Sequence, residues 1–297
     1  MKLLVVGAGG LLGSAMIREC LDRSISVTGT FHTDEPSFEI PLEKLDVRDA
    51  AAFESFLQRW DPDAVVNCAA LTDVDGCESQ DELAFEVNGA APGDLAAACA
   101  EEGAEFVHVS TDYVFDGITT TPYDESATPN PIQEYGKSKL EGERRVQDAN
   151  GQNIVTRLSF VYGVRGDTDE LVGFPAWARE SLRAGDELPL FVDQHVSPSR
   201  AGQTARTILE LLDVGAEGVF NVATRSCVTP YEFGKDMARL WGADTSLLRE
   251  SEQSSVDRDA DRPTNTCLDV TKVEQTLGRP QPTAEEDLEA IEDWIRA

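Results

Sequence analysis

An apolar run, three closely spaced glycines and an amphipathic segment follow one another at the amino terminus, and this order restricts the fold more than any other feature of the chain. Residues 2–6 have the length and apolar character of a buried parallel strand, and the glycines come next with the spacing GxxGxxG. Glycine lets the backbone approach a pyrophosphate closely, and the helix that follows offers free N–H groups in its first turn. The segment therefore predicts a dinucleotide-binding turn. Its predicted cofactor contacts are Gly7, Gly10, Leu11, Leu12 and Gly13.

Strand and helix patterns alternate along the first half of the chain. Further apolar runs have strand length and lie at residues 25–31, 64–70 and 154–162. Right-handed crossovers turn this alternation into an α/β fold with a doubly wound parallel sheet of the Rossmann type. We predict a dinucleotide-binding domain over residues 1–165 and a smaller, mainly substrate-binding lobe over residues 166–297. A strand near residues 219–223 is predicted to return to the main sheet.

A tyrosine and a lysine, Tyr135 and Lys139, stand four residues apart in a segment of helical character. Asn130 and Pro131 mark the predicted start of this helix. Side chains four apart leave the same face of a helix, so the ammonium is expected to lower the pKa of the phenol from its usual value of ~10. Such a phenol can donate its proton to the oxygen of a substrate carbonyl. Thr111, at the end of the preceding strand, is placed to hold that oxygen. The alternative is that Tyr135 and Lys139 form an ordinary solvated helix face.

The balance of charge is strongly acidic, because 55 Asp and Glu oppose 25 Lys and Arg for a net charge of -30. Such a surface repels nucleic acids and anionic membranes, so neither is an expected partner. The acids are spread along the chain, and a solvating carboxylate surface stays soluble in concentrated salt. The composition predicts an enzyme of a halophile. An acidic protein from a non-halophile is the alternative.

The cysteine pattern and the hydropathy indicate a cytoplasmic protein. The cysteines are scattered without a CxxC pair, which indicates reduced and mostly buried thiols. The glycine turn follows residues 1–6 directly, so no signal peptide is expected, and no apolar run has the length of a membrane span. With three histidines and no ligand-like clustering, no metal site is predicted. The six cysteines are Cys20, Cys68, Cys77, Cys99, Cys227 and Cys267.

Two segments resemble the active-site segments of a known enzyme family. STDYVFDG at 110–117 and YGKSK at 135–139 are similar to those of extended short-chain dehydrogenases/reductases, in particular the dTDP-4-dehydrorhamnose reductase branch. The resemblance implies that Thr111, Tyr135 and Lys139 form the catalytic triad. Tyr135 would then be the general acid, and Lys139 would also hold the nicotinamide ribose. The implied reaction is NAD(P)H-dependent reduction of a 4-keto nucleotide-activated deoxysugar.

The same resemblance implies further site residues. The implied cofactor contacts outside the glycine turn and the triad are Asp46, Val47, Ala69, Ala70, Leu71 and Thr72. The implied substrate contacts are Asn88, Thr111, Asp112, Phe160 and Arg262, the last in a segment similar to the family's RPxNSxL. Three alternatives stay open: that Asp46 caps a helix, that the small residues at 68–72 only pack, and that Asn88 interrupts its helix for structural reasons.

The end of the second strand bears on the choice of cofactor. An NAD-selective site usually places an acid there, about 20 residues past the glycines, whereas this chain has Thr30, Phe31 and His32 and no acid before Asp34. NADP(H) is therefore favoured over NAD(H), although this stretch offers no arginine for the extra phosphate. Two other functions remain: a nucleotide-sugar epimerase or dehydratase of the same superfamily, or a non-catalytic NAD(P)-binding regulatory subunit. A homodimer is a further expectation.

Overall fold

The computed structural model describes residues 1–296. The strands are β1 (Lys2–Val6), β2 (Ser26–Phe31), β3 (Leu42–Lys44), β4 (Ala64–Asn67), β5 (Glu105–Thr111), β6 (Asn153–Leu158), β7 (Val161–Val164), β8 (Leu171–Val172), β9 (Leu188–Phe191), β10 (Ser199–Arg200), β11 (Gly218–Asn221) and β12 (Leu248–Ser251). The helices are α1 (Leu11–Asp22), α2 (Ala50–Trp60), α3 (Val74–Ser79), α4 (Asp81–Ala84), α5 (Ala91–Glu102), α6 (Glu134–Asp148), α7 (Phe174–Ala184), α8 (Ala201–Asp213), α9 (Pro230–Trp241), α10 (Thr271–Leu277), α11 (Ala284–Glu289) and α12 (Glu292–Arg296). A π-helical segment, Phe85–Ala90, joins α4 to α5.

The main sheet determines where a ligand can bind. Within residues 1–296 it has seven strands, in the spatial order β11-β6-β5-β4-β1-β2-β3. Neighbouring strands are parallel throughout. The direction of winding reverses between β1 and β4, and in such sheets ligands bind outside the carboxyl ends of the strands at this point. The predicted Rossmann-type, doubly wound α/β fold is confirmed.

Two apolar layers cover the sheet, and β1 contributes to both. Leu3 and Val5 pack into the layer that includes α1 and α8, whereas Leu4 and Val6 pack into the layer that includes α2 and α5. Successive side chains of a strand point to opposite faces, so an uninterrupted apolar run is required where both faces are covered. This burial fixes the strand whose carboxyl end leads into the glycine turn.

The second half of the chain contributes to two regions. β11 pairs with β6 at the edge of the main sheet, with Val219 opposite Val155. A separate apolar cluster joins α7, α9, α11 and α12 around the buried ring of Phe233. β9 and β12 pair beside it. The domain boundary near residue 165 stays a prediction.

Helix α6 begins later than the sequence indicates. Asn130 and Pro131 were expected at its start, but the first helical residue is Glu134. The Asn130 side chain donates to Asp116 Oδ2 at 3.0 Å, so it ties down the preceding loop and caps no helix. The backbone N–H of Glu134 is satisfied by Glu78 Oε1 at 2.9 Å. A carboxylate from another element thus replaces the local cap.

The expectation of six reduced cysteines is wrong for one pair. Cys227 and Cys267 form a disulfide, with their Cα atoms 5.4 Å apart. Their separation of 40 residues gave no sequence signal, because only folding brings the segment before α9 against the segment before α10. Cys20, Cys77 and Cys99 are buried thiols. Over residues 1–296, no helix is long and apolar enough to cross a membrane, and no cluster of His, Cys, Asp and Glu suits a metal ion.

Candidate active site

The glycine turn between β1 and α1 has no space for larger side chains at two positions. Gly7 has a φ of +84°, and a Cβ there would lie 2.7 Å from the backbone nitrogen of Ala69. A Cβ on Gly13 would lie 2.1 Å from the carbonyl oxygen of Gly7. Helix α1 begins at Leu11 with no acidic residue in its first turn and no capping side chain, so its N–H groups are available to an anion. The turn fits the pyrophosphate of a dinucleotide.

A cavity of about 510 Å³ opens beside this turn, at the carboxyl ends of β4, β5 and β6. The predicted site residues that line it are Gly10, Leu11, Leu12, Gly13, Ala70, Thr72, Thr111, Asp112, Tyr135, Lys139 and Phe160. The catalytic candidates from β5 and α6 therefore share one space with the cofactor candidates from the amino terminus. This convergence excludes the alternative that Tyr135 and Lys139 form a solvated helix face.

A second cavity, of about 240 Å³, lies on the other side of the switch point. The predicted cofactor residues that line it are Gly7, Asp46, Val47, Ala69, Ala70 and Leu71. Ala70 lines both cavities, so they adjoin along the edge of the sheet. Asp49 accepts from the N–H of Ala52 and caps α2, so the alternative that Asp46 caps this helix is wrong. The two spaces together have the layout that a dinucleotide requires.

Sequence reasoning missed an arginine in the second cavity. Arg48 lines it together with His32, although the two residues belong to different segments. The Arg48 guanidinium is held by two carboxylates: its Nη2 lies 2.6 Å from Asp46 Oδ2, and its Nη1 lies 3.1 Å from Glu86 Oε2. The pairing lowers the pKa of Asp46 to about 2. The cavity thus contains a cation that is already neutralised by its neighbours.

The phenol of Tyr135 is held in its protonated form. Burial raises the pKa of Tyr135 above its usual value of 10, and a hydrogen bond with the Thr111 hydroxyl only partly opposes this. The expectation that Lys139 lowers the pKa of Tyr135 was wrong for this structure, because burial dominates the shift; Lys139 Nζ instead donates to the carbonyl oxygen of Val109 at 2.7 Å. A phenol that keeps its proton at neutral pH can still act as a proton donor.

The amine of Lys139 is itself buried, and its side chain reaches the cavity floor with 2 % of the residue exposed. Burial lowers the pKa of Lys139 to about 8, while the charge of Glu143 opposes the shift. Glu143 is paired with Arg157, whose Nη2 lies 2.7 Å from Glu143 Oε2. The Ser110 hydroxyl donates to the other carboxylate oxygen at 2.6 Å. A lysine with a pKa near neutrality can exchange protons during a reaction.

Thr111 and Asp112 belong to one buried hydrogen-bond network. The Thr111 hydroxyl donates to Asp112 Oδ1 at 3.0 Å, and Ser159 donates to Asp112 Oδ2 at 2.6 Å. The Thr111 oxygen also accepts from the N–H of Tyr113 at 3.2 Å. Burial raises the pKa of Asp112 to about 6, against the effect of these hydrogen bonds. The network fixes the Thr111 rotamer and commits its only hydroxyl proton to Asp112.

Asn88 does not line either cavity, and the structure favours the structural alternative for it. It is fully buried in the π-helical segment, and its Nδ2 donates to the carbonyl oxygen of Leu71 at 3.0 Å and to Ser138 Oγ at 3.1 Å. Its Oδ1 accepts from the N–H of Leu71 at 2.8 Å. All of its polar atoms are used within the protein. Asn88 therefore holds the loop after β4 against α6, and acts on the site through Leu71.

Arg262, predicted for a substrate diphosphate, is also outside the cavity lining. Its guanidinium makes a paired contact with Asp75, at 3.2 Å and 2.8 Å from the two carboxylate oxygens, and donates to the carbonyl oxygen of Ala260 at 2.8 Å. Hydrogen bonds to both Asp75 oxygens match the fork geometry that a phosphate would otherwise use. Arg262 is thus bound to Asp75 of α3 and does not line the larger cavity.

Phe160 forms one wall of the larger cavity in an unusual backbone conformation. Its φ is +46°, in the left-handed region that bulky residues rarely adopt. Its ring lies 5.4 Å from that of Phe174 and 6.0 Å from that of Phe233, between centroids. Gln194, from the segment after β9, lines the same cavity and was missed by sequence reasoning as a site residue. The cavity thus has an apolar wall opposite the polar triad.

The sequence is similar to a described protein family and to named proteins. Residues 1–296 match the family described as RmlD substrate binding domain. The chain is 52 % identical over 292 residues to the probable low-salt glycan biosynthesis reductase Agl14 of Haloferax volcanii, covering 98 % of this chain and 97 % of that protein.

Two solved structures are similar over nearly their full length. A dTDP-4-dehydrorhamnose reductase of Clostridium acetobutylicum has a TM-score of 0.89 and 31 % identity, with 100 % of both chains covered. A dTDP-4-dehydrorhamnose reductase of Bacillus anthracis in complex with NADP has a TM-score of 0.87 and 25 % identity, with 98 % of both chains covered.

Proposed function

Because the chain belongs to the RmlD substrate binding domain family, we propose that it is an NAD(P)H-dependent oxidoreductase that reduces the keto group of a 4-keto nucleotide-activated deoxysugar. The observation that carries this proposal is the larger cavity, where Thr111, Tyr135 and Lys139 face the same space as the glycine turn. Similar proteins named as reductases, two of them for a dTDP-linked keto sugar, support it. The family resemblance stated from the sequence is confirmed.

The residues of the larger cavity have different roles in the proposed reaction. When bound, NAD(P)H would supply a hydride from its nicotinamide. Tyr135 keeps its proton until negative charge develops on the carbonyl oxygen, and then donates it as a general acid. Thr111, which Asp112 and Tyr113 hold in the free protein, turns its hydroxyl proton from Asp112 to that oxygen and orients it. Lys139 lies in the same cavity with a pKa near neutrality, where it can hold the nicotinamide ribose and return a proton to the site.

We propose that the protein prefers NADP(H) to NAD(H) as its cofactor. The end of β2 carries Phe31 and His32 beside the second cavity, and the strand itself offers no carboxylate to bind the ribose hydroxyls. Arg48 adds a cation close by, although Asp46 and Glu86 neutralise it. The ratio of kcat/KM for NADPH and NADH measures this preference. A ratio below one would refute it.

A nucleotide-sugar epimerase or dehydratase and a non-catalytic binding subunit are the competing functions. An epimerase regenerates its cofactor within each turnover, whereas a reductase consumes one NADPH for each sugar reduced. A binding subunit consumes none. Net consumption of NADPH therefore separates the reductase from the other two, and conversion of the sugar without net consumption separates the epimerase from the binding subunit. A complete, buried Thr111, Tyr135 and Lys139 set in one cavity favours the reductase over a binding subunit.

The decisive experiment is the oxidation of NADPH with a panel of 4-keto nucleotide sugars, with the wild type and two tyrosine variants. Tyr135→Phe removes the proton donor and should lower kcat by about 10² to 10⁴. Tyr113→Phe is the matched control, because Tyr113 lines the same cavity and its ring contacts that of Tyr135 edge-on at 6.2 Å. It should retain kcat within about tenfold. Equal activity of the two variants would remove Tyr135 from the mechanism.

The net charge bears on the compartment and the partners of the proposed enzyme. A net charge of -30 fits a cytoplasmic enzyme of a halophile and disfavours nucleic acid and anionic membranes as partners. The expected partner is the nucleotide-sugar substrate. A homodimer stays a prediction, which sedimentation at high salt would test.

A further inference from the structure

His108 is a fully buried imidazole directly behind the catalytic lysine. It lies in β5, and none of its surface is exposed. Its Nε2 lies 3.3 Å from Lys139 Nζ, and its Nδ1 lies 3.4 Å from the side-chain nitrogen of Asn67. A Cβ added to Gly142 of α6 would lie 3.4 Å from the same Nε2, so the helix leaves just enough space for the ring. The imidazole therefore has one polar neighbour at each nitrogen.

Asn67 determines which ring nitrogen of His108 carries the proton. The Asn67 Oδ1 accepts from the backbone N–H of Ala69 at 3.1 Å, which leaves the NH2 group of the amide facing His108 Nδ1. An NH2 group can only donate, so Nδ1 must accept. A neutral imidazole then carries its proton on Nε2. That N–H points at the amine of Lys139.

Resting on the function proposed above, we propose that His108 is a positioning residue for Lys139, and that Asn67 holds it as the Nε2–H tautomer with this N–H directed at the lysine amine. An Nε2–H group needs an acceptor, and an uncharged amine is one, whereas an ammonium is not. The hydrogen bond thus favours the neutral form of Lys139. The amine keeps its second contact, to the carbonyl oxygen of Val109, in either form.

The charged and titratable groups around Lys139 agree with this arrangement. Glu143 on the same helix stabilises the ammonium, but Arg157 from β6 pairs with that carboxylate and weakens its effect. The Cys68 thiol faces the amine from the end of β4, and its pKa is raised to about 12 by burial, so it stays neutral. Burial and the charge of Lys139 both lower the pKa of His108 well below 6.5. Lys139 is thus the member of the pair that titrates near pH 8.

The tautomer can be observed without substrate or cofactor. The chain has three histidines, so nitrogen-15 spectra of the imidazoles are simple, and the signals lost in His108→Gln identify His108. The expected result is a neutral Nε2–H tautomer that does not titrate as the pH falls to about 5, since burial opposes the imidazolium. A proton on Nδ1, or an ordinary titration near pH 6.5, would overturn the proposal.

Asn67→Asp tests the cause of the tautomer. A carboxylate accepts where the amide donates, so it should move the proton to Nδ1 and turn Nε2 into an acceptor for the Lys139 ammonium. An unchanged Nε2–H signal in this variant would show that Asn67 does not fix the ring. If the variant does not fold, the spectrum of the wild type still decides the tautomer.

The pH profile of kcat tests the effect on Lys139. His108→Gln offers an amide oxygen that can accept from the ammonium, so the alkaline limb should move up by about one pH unit. His195→Gln is the matched control, because His195 is exposed and lies outside both cavities. Superimposable profiles for all three proteins would exclude a positioning role for His108. A failure of the proposed reduction would remove the activity but would leave the spectra unchanged, so the two failures are distinguishable.

Discussion

Removal of the Cys227–Cys267 disulfide should destabilise the protein by an amount that the length of the closed loop sets. The bond joins the segment that leads into α9 to the segment that leads into α10. Cys267 is fully buried, so the bond lies inside the protein. Double replacement by serine opens the loop without a large change in side-chain volume.

The magnitude follows from loop entropy. For a separation of 40 residues the chain-entropy relation gives about 4 kcal/mol of stabilisation at room temperature. An unfolding entropy of about 2.1 cal/mol/K per residue over 297 residues converts this to a fall in Tm of about 6 °C. Strain in the native bond would make the measured loss smaller, so this value is an upper estimate.

Two measurements test the disulfide, and both can refute it. Thiol titration of the unfolded, unreduced protein should find four thiols, and six after reduction, since Cys20, Cys68, Cys77 and Cys99 are free. Calorimetry should show the fall in Tm for the double serine variant, and for the wild type after addition of reductant. The variant itself should not respond to reductant. Six thiols before reduction, together with a Tm that reductant does not change, would mean that the bond does not form in solution.

Three further outcomes follow from the structure. The pKa of Asp112 is raised from 3.8 to about 6, so the folded protein binds this proton more tightly than the unfolded chain. The contribution of Asp112 to the free energy of unfolding therefore falls as the pH rises between these two pKa values. Asp112→Asn should remove this pH dependence, which urea titrations at several pH values measure. Asn88→Ala leaves polar groups of Leu71 and Ser138 without their partner, so it should cost about 1–3 kcal/mol in urea unfolding and raise KM for the cofactor. Because salt screens a net charge of -30, Tm and kcat should both rise from low salt to molar KCl.

The features that the sequence predicts correctly are those determined by short-range patterns. The glycine spacing follows from steric limits within one turn, where Gly7 and Gly13 nearly touch. The apolar run of β1 reflects burial on both faces of the sheet. The pairing of Tyr135 with Lys139 follows from helical geometry, and their convergence with Thr111 follows because β5 ends where α6 begins to pack on it. Such patterns need no knowledge of the rest of the chain.

The features that the sequence does not reveal depend on partners distant in the chain. Arg262 has the motif of a phosphate ligand, but Asp75 lies 187 residues away and occupies its guanidinium. The raised pKa of Tyr135 arises from burial, which a helical wheel does not show. His108 gives no functional signal in the sequence, because it lies in an apolar strand. Its proposed role depends on Lys139, whose Nζ lies 3.3 Å from His108 Nε2. In each case a side chain of recognisable chemistry acquires its role from a contact across the fold.

The arrangement of cations bears on how so acidic a chain could bind the two anionic ligands of the proposed function. Two arginines considered as anion ligands are neutralised, Arg48 by Asp46 and Glu86 and Arg262 by Asp75. A pyrophosphate can instead bind at the first turn of α1, where backbone N–H groups face the cavity and no acid opposes them. Salt screens an exposed ion pair strongly, whereas it weakens hydrogen bonds from fixed and partly buried N–H groups much less. Binding through the backbone is therefore the arrangement expected to tolerate concentrated salt, in keeping with the proposal of a halophile's enzyme.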